Sequence, residues 1–295
     1  MRVLIIGATG MLGHMACRVL ARRHEVHATC RGGYDDVPAL AQVIERTRCS
    51  EHLDPTRAAP LGALLEAVRP QVVLNCVGAI RQKPAGRDPL TAIPTNALLP
   101  HRLAAACDEF GAKLIAVSTD CVFSGQRGGY RETDAPDPVD LYGRSKLLGE
   151  VTVPPHLTLR TSLIGRQLVG HEGLVEWFLR QRGSCVTGYV GAMFSGLTTA
   201  AFCGAVATLV EEHPRLTGLY HVASAPISKF ELLDRLGRAL ELDVTLAADD
   251  RVQCDRSLDA SRLLRDAGWR APTWQQMLSE LVLDASTYDA WHTRG

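Results

Sequence analysis

Arg2-Val3-Leu4-Ile5-Ile6-Gly7-Ala8-Thr9-Gly10-Met11-Leu12-Gly13 decides the fold. The five residues 2–6 are aliphatic enough to read as a strand, and they run directly into a glycine triplet and a helix-like segment at 11–23. Each glycine has its own reason. Gly7 permits a tight turn, Gly10 lets a pyrophosphate approach the backbone, and Gly13 lets the helix pack close to the strand. An anion then rests on the free N–H groups of the helix N-terminus, which makes Gly7, Thr9, Gly10, Met11 and Leu12 the expected contacts. A glycine-rich turn that binds nothing is the plain alternative. The triplet's place directly after the first strand favours a dinucleotide.

Outward from that stretch, short apolar runs alternate with longer helical patterns. Residues 2–6, 25–30, 71–76 and 113–118 read as strands, and 11–23, 61–68 and 96–110 as helices. Pro60 and Pro94 stand near helix starts and Gly111 follows a helix end. Strands that alternate with helices pair in parallel through right-handed crossovers, so an α/β doubly wound sheet is expected. The second half is less regular: strands at 157–160 and 218–223, and helices at 173–182, 198–212, 229–240, 259–267 and 273–284. Residues 1–165 are expected to form a Rossmann domain, to which the chain returns around 197–222. Residues 166–196 and 223–295 then make a smaller lobe over the sheet's carboxyl edge.

The 295 residues are 46% hydrophobic and 22% charged, enough for one large core or a core with a smaller lobe. Lysine plus arginine equals aspartate plus glutamate at 32 each, so no basic field exists to hold a polynucleotide. The longest nearly apolar stretch, 197–210, is too short for a membrane span, and residues 1–10 lack a signal peptide's apolar core. Nine scattered cysteines with no CxxC pair fit a reducing cytoplasm better than a disulfide framework or a zinc site. The ten histidines contain no HExxH or HxxxH pair, and no catalytic metal is expected.

Cofactor choice is read at the end of the second strand, where NAD sites place an acidic residue against the ribose. Here Cys30 ends the strand and Arg31-Gly32-Gly33 follows. The uncharged Cys30 removes a repulsion, and Arg31 can pair with a 2′-phosphate. NADP(H) is therefore preferred, with NAD(H) as the alternative because Asp35 and Asp36 lie close by.

Tyr142-Gly143-Arg144-Ser145-Lys146 puts a phenol and an ammonium four residues apart, on one face if the segment is helical. An adjacent ammonium lowers a phenol's pKa and suits it to trade a proton with a carbonyl oxygen. A YxxxK pair alone is more often a surface accident. Context sharpens it: Ser118-Thr119 closes a strand where the sheet's carboxyl edge opens on a ligand, and either hydroxyl can polarise a carbonyl. Asn75-Cys76-Val77-Gly78 closes the neighbouring strand with small residues that let a cofactor pass.

With those residues in place, the chain resembles the extended short-chain dehydrogenases/reductases, most closely the dTDP-4-dehydrorhamnose reductase family. GATGMLG at 7–13, STDCVFSG at 118–125, YGRSKLLGE at 142–150 and LRTS at 159–162 match that family's blocks in order. GLYHVAS at 218–224 and SLDASRL at 257–263 resemble its later blocks. The resemblance implies Thr119 as carbonyl-binding hydroxyl, Tyr142 as proton donor, and Lys146 as ribose-binding partner. It places Ser118, Asn75 to Gly78, and Arg160, Thr161 and Ser162 beside the cofactor, and Asn96 near the lysine. It also implies a sugar-nucleotide substrate and allows a homodimer. Departures fall at Cys121, at Arg81-Gln82-Lys83 and at 188–196, and they bear on which sugar is held.

The expected activity is NADPH-dependent reduction of a keto group, at C4, of a nucleoside-diphosphate deoxysugar. Two alternatives stand beside it. One is an epimerase or dehydratase using bound cofactor transiently, disfavoured because Cys121 replaces the acid of an Asp–Glu pair. The other is a non-catalytic, NAD(P)-binding regulatory subunit on the same fold.

Overall fold

The computed structural model describes residues 1–292. Strand β1 (Arg2–Ile6) runs through the middle of a seven-stranded parallel sheet. Val3 and Ile5 pack into one hydrophobic core, while Leu4 and Ile6 pack into a second on the opposite face. Because both faces are covered, the strand is a continuous apolar run with no polar alternation. The chain continues through β2 (Glu25–Thr29), β3 (Cys49–Ser50), β4 (Val72–Asn75), β5 (Lys113–Thr119) and β6 (Leu157–Thr161). Four short strands follow: β7 (Leu163–Ile164), β8 (Ser184–Tyr189), β9 (Ala192–Phe194) and β10 (Leu197–Thr198). Then comes β11 (Gly218–His221). The main sheet has the order β3-β2-β1-β4-β5-β6-β11. Its direction of winding reverses between β1 and β4, the crevice where such sheets bind ligands.

Helices cover both faces: α1 (Met11–Leu20), α2 (Ala58–Val68), α3 (Pro89–Ala92), α4 (Leu99–Phe110), α5 (Leu141–Leu148), α6 (Leu174–Leu179) and α7 (Thr199–Glu212). The last quarter adds β12 (Ile227–Ser228), α8 (Lys229–Ala239), β13 (Val244–Asp249), β14 (Cys254–Asp255), α9 (Ser261–Ala267), α10 (Trp274–Leu283) and α11 (Ala285–His292). Three small sheets, β10-β7, β12-β9-β14 and β13-β8, lie outside the main one. No described helix is long and apolar enough to cross a membrane.

The α/β doubly wound sheet expected from the sequence is the fold observed, and the early strands fall within a residue or two of their expected limits. The differences have local causes. The helix expected at 96–110 begins as a π-helical turn, Ile93–Leu98, with Pro94 near its start. Most strands outside the main sheet are two or three residues long, too short to show a period. The six-residue pair β8 and β13 escaped notice because neither SCVTGY nor VTLAAD alternates cleanly.

Candidate active site

The turn after β1 is shaped by its own packing. Gly7 has φ +94°, and a Cβ there would meet Val77 Cγ2 at 2.8 Å. At Gly13 a Cβ would stand 1.9 Å from the Gly7 carbonyl oxygen, so α1 can approach β1 only without one. Gly10 differs: its Cβ would make an ordinary 3.5 Å contact, and the residue is exposed. Nothing in the protein demands a glycine at position 10; the demand suits a ligand arriving from outside. Gly10 also caps α1 without a side-chain hydrogen bond, which leaves the helix's first amides for an anion. Thr9 and Met11 are half-buried on that rim, whereas Leu12 turns into the core and can offer only its backbone.

The other lip is the end of β4. Asn75 Oδ1 accepts from the Val77 amide at 3.1 Å and sets the turn through Cys76 to Gly78. Burial pushes the Cys76 thiol well above its ordinary range, so it is a neutral filler. At the end of β2, Cys30 is buried with its thiol donating to the Gly32 carbonyl at 3.2 Å. The nearby acids are engaged locally: Asp36 accepts from the Gly33 amide at 2.6 Å, and Asp35 pairs with Arg46 at 2.6 Å. Arg31 is exposed on the same edge.

Helix α5 carries the Tyr142–Lys146 pair, and three features fix it. Asp140 caps it by accepting from the Gly143 amide at 2.8 Å. A Cβ on Gly143 would lie 2.2 Å from the Cys121 carbonyl oxygen, and one on Gly149 would lie 1.9 Å from that of Asn96. The two glycines seat the helix against the loop after β5 and against the π-helical turn. Asn96, fully buried in that turn, accepts from the Ala79 amide at 2.8 Å and donates to the Ala79 carbonyl at 3.0 Å. It also donates to Ser145 Oγ at 3.1 Å, tying α5 to the segment that follows β4. A π-turn at such a junction is a common mark of a functional site.

Thr119, the last residue of β5, accepts from the Cys121 amide at 3.2 Å and donates to Asp120 Oδ1 at 3.1 Å. The Tyr142 phenol lies among Thr119, Asp120, Cys121 and Arg81, the groups that act on it. Burial raises the phenol's pKa well above the ordinary tyrosine range. Cys121 and Asp120 push it further up, and the Thr119 hydroxyl and Arg81 pull it down. The structure therefore departs from the expectation that Lys146 makes this phenol acidic. Lys146 Nζ donates to the Val117 carbonyl at 2.6 Å, and burial lowers its own pKa to about 8 against the upward pull of Glu150. Tyr142 is a protonated phenol here, the form that gives a proton.

Two expected cofactor contacts have other partners. Ser118 Oγ donates to Glu150 Oε1 at 2.6 Å. Arg160, only 2% exposed, holds the same carboxylate through both oxygens, at 2.7 and 2.8 Å. Its guanidinium stacks 5.2 Å from the Phe123 ring centroid. These side chains lock β5, β6 and α5 together and are not offered to the groove. Thr161 is buried, while Ser162 is half-buried and holds the Leu197 amide through its carbonyl at 2.8 Å.

The groove also contains cations that the sequence motifs do not single out. Arg256, just after β14, donates to the Phe123 carbonyl at 2.8 Å and approaches Cys121 Sγ at 3.9 Å. It gets there because residue 125 is glycine; a Cβ would strike Cys254 Sγ at 2.5 Å. Lys229, the first residue of α8, places Nζ 3.7 Å from the Phe194 ring centroid. Asp120 is buried, which raises its pKa, and Lys229 and Arg256 are the charges that oppose the rise. A lysine at a helix N-terminus works against the helix dipole, and that conflict was the legible signal for Lys229.

The model of the RmlD substrate binding domain matches residues 1–287. The chain belongs to that family. Its RmlD-type sequence is 29% identical over 312 aligned residues to the probable low-salt glycan biosynthesis reductase Agl14 of Haloferax volcanii, covering 98% of this chain and all of that one. It is 29% identical over 233 residues to the dTDP-4-dehydrorhamnose reductase of Salmonella typhimurium, covering 76% and 73%. It is also 34% identical over 152 residues to the methionine adenosyltransferase 2 subunit beta of Xenopus tropicalis, covering 52% of this chain and 42% of that subunit. Among solved structures, a hypothetical dTDP-4-dehydrorhamnose reductase from Sulfolobus tokodaii superposes with a TM-score of 0.77 at 27% identity, over 93% and 98% of the two chains. The resemblance read from the motifs is thus borne out, and with it the class: an oxidoreductase of the extended short-chain dehydrogenase/reductase type.

Proposed function

We propose that the protein reduces the C4 keto group of a nucleoside-diphosphate deoxysugar with NADPH. The observation that carries the reading is the seating of α5, with Tyr142, against the loop that follows Thr119 at the carboxyl edge of the sheet, beside the glycine turn at the β1–β4 crevice. The Gly7–Gly13 turn, the α1 amides and the Asn75–Gly78 lip would hold the dinucleotide. Arg31, with no acid at the end of β2, favours the form bearing a 2′-phosphate. When bound, the dinucleotide supplies hydride to the carbonyl carbon. The chain's own residues handle the oxygen. Thr119 Oγ1 turns its proton from Asp120 toward the carbonyl and polarises it. Tyr142 gives its proton to the alkoxide oxygen, for which burial keeps it charged with that proton until reaction. Lys146, held by the Val117 carbonyl, would meet the ribose.

Residues 1–165, with the return at 197–222, would hold the cofactor, and residues 166–196 and 223–295 the sugar nucleotide. The nine cysteines, all free, suit work in a reducing cytoplasm. The test is a panel of keto-sugar nucleotides followed by loss of NADPH absorbance. Tyr142→Phe should lower turnover by at least about 100-fold with NADPH affinity intact. Full activity in that variant would overturn the mechanism.

A second reading, a regulatory NAD(P)-binding subunit, is favoured by the half-length match to the adenosyltransferase subunit. The intact Thr119, Tyr142 and Lys146 set weighs against it. NADPH oxidation by the isolated chain decides between the two.

A further inference from the structure

Lys229 stands apart from the other cations of the groove. Arg256 donates to the Phe123 carbonyl, and Arg81 lies 3.6 Å from Asp140. Lys229 Nζ carries three donors, and among the described residues its one recorded partner is the face of Phe194. That ring is itself held firmly: it packs at 5.6 Å against Trp274, whose indole N–H donates to the Ala225 carbonyl at 2.8 Å. The antiparallel β9–β12 pair, Ile227 against Phe194 and Ser228 against Met193, fixes Lys229 in register one residue further on. The side chain is half-buried, and its charge is the foremost one acting on Asp120, the neighbour of Thr119. An ammonium oriented on an aromatic platform, with no oxygen acceptor among its recorded partners, keeps its donors for what enters beside it. The acceptor belongs to whatever fills the groove.

We infer that Lys229 is a substrate-contacting residue that donates hydrogen bonds to an oxygen of the sugar ring beside the reacting carbon, and so helps set which keto-sugars are accepted. This rests on the sugar-nucleotide reading above. The sugar, and not the diphosphate, is its partner because the field of Lys229 falls on Asp120 and Cys121, which flank the carbonyl-polarising Thr119. Phe194 lies within 188–196, a segment that the motif resemblance marks as a departure from the family's pattern, which suits a role in choosing the sugar.

The experiment compares binding of dTDP- and UDP-hexoses with binding of dTDP and UDP alone, by calorimetry in saturating NADP. Wild-type protein and Lys229→Met are measured side by side, with Lys229→Gln as the variant that keeps a polar end should the first not fold. The variant should bind the sugar nucleotide about 10- to 100-fold more weakly, the range of a lost hydrogen bond to a charged group. Its affinity for the bare nucleoside diphosphate and for NADP should stay within twofold, and kcat/KM for the keto-sugar should fall with sugar binding. Equal loss for dTDP and dTDP-hexose would assign Lys229 to the diphosphate and overturn the inference, as would unchanged hexose binding. Failure of wild-type protein to bind any sugar nucleotide would instead sink the sugar-nucleotide reading, and this inference with it.

Discussion

Thr119 Oγ1 serves two neighbours at once: it accepts from the Cys121 amide and donates to Asp120. Removing the hydroxyl while keeping the shape, in Thr119→Val, takes from the carbonyl its polarising donor. It also removes the neighbouring hydroxyl that pulls the Tyr142 pKa down, so the proton is given up less readily. Loss of one donor aimed at developing negative charge costs about 100- to 1000-fold in turnover. Steady-state kinetics should show that fall in kcat with KM for NADPH unchanged. A loss smaller than tenfold would mean that Thr119 only caps the turn after β5. At this scale the motifs were legible because the chemistry needs particular residue types at a fixed spacing. What the spacing could not convey is the phenol's environment. Lys146 lies one helical turn from Tyr142, yet its ammonium is bonded to the Val117 carbonyl, and burial dominates the phenol.

Helix α5 is held by the absence of two methyl groups. Gly143 and Gly149 lie at opposite ends of the Tyr142–Lys146 segment, and each lets a carbonyl oxygen of another element come within about 2 Å of where a Cβ would be. Gly149→Ala would push α5 off the Ile93–Leu98 turn, because the obstructing atom is backbone and cannot rotate away. The expected cost is about 1–3 kcal/mol of stability together with a fall in kcat, since the same shift moves Lys146 and Tyr142. Urea unfolding and turnover measured on one preparation check this. A wild-type midpoint with wild-type activity would contradict the close approach. The glycines were visible within YGRSKLLGE, but their partners, Cys121 and Asn96, come from other parts of the chain.

Across the whole molecule, two buried histidines join distant segments. His14 donates through Nδ1 to the Gly10 carbonyl at 2.8 Å and receives the Tyr288 hydroxyl at Nε2 at 2.6 Å, so α11 is latched to the phosphate turn. His221, on β11, bonds the Tyr130 carbonyl at 3.1 Å. Burial lowers both from the ordinary 6.5 to about 4. Above pH 6.5 both states leave them neutral and stability is unaffected. As the pH falls from 6.5 toward 4, the unfolded chain takes up the protons first, and the fold loses about 3 kcal/mol per histidine. Asp120 and Glu132, raised by burial, act in the opposite sense as the pH falls. Urea midpoints should therefore drop between pH 7 and pH 5, and a flat profile there would show that these imidazoles are not held neutral.

The chain by itself determined the alternation of strands and helices and the glycine turn at its first crossover, and it singled out Thr119, Tyr142 and Lys146 as candidates, because these rest on local periods and short spacings. Tertiary structure alone decided that Ser118 and Arg160 serve Glu150 and that Asn96 braces α5 from a π-turn. It also alone decided that Lys229, 110 positions after Thr119, comes to face the same groove. Those outcomes depend on which surfaces meet when the last quarter of the chain packs onto the sheet edge, and no spacing within a single element encodes that meeting.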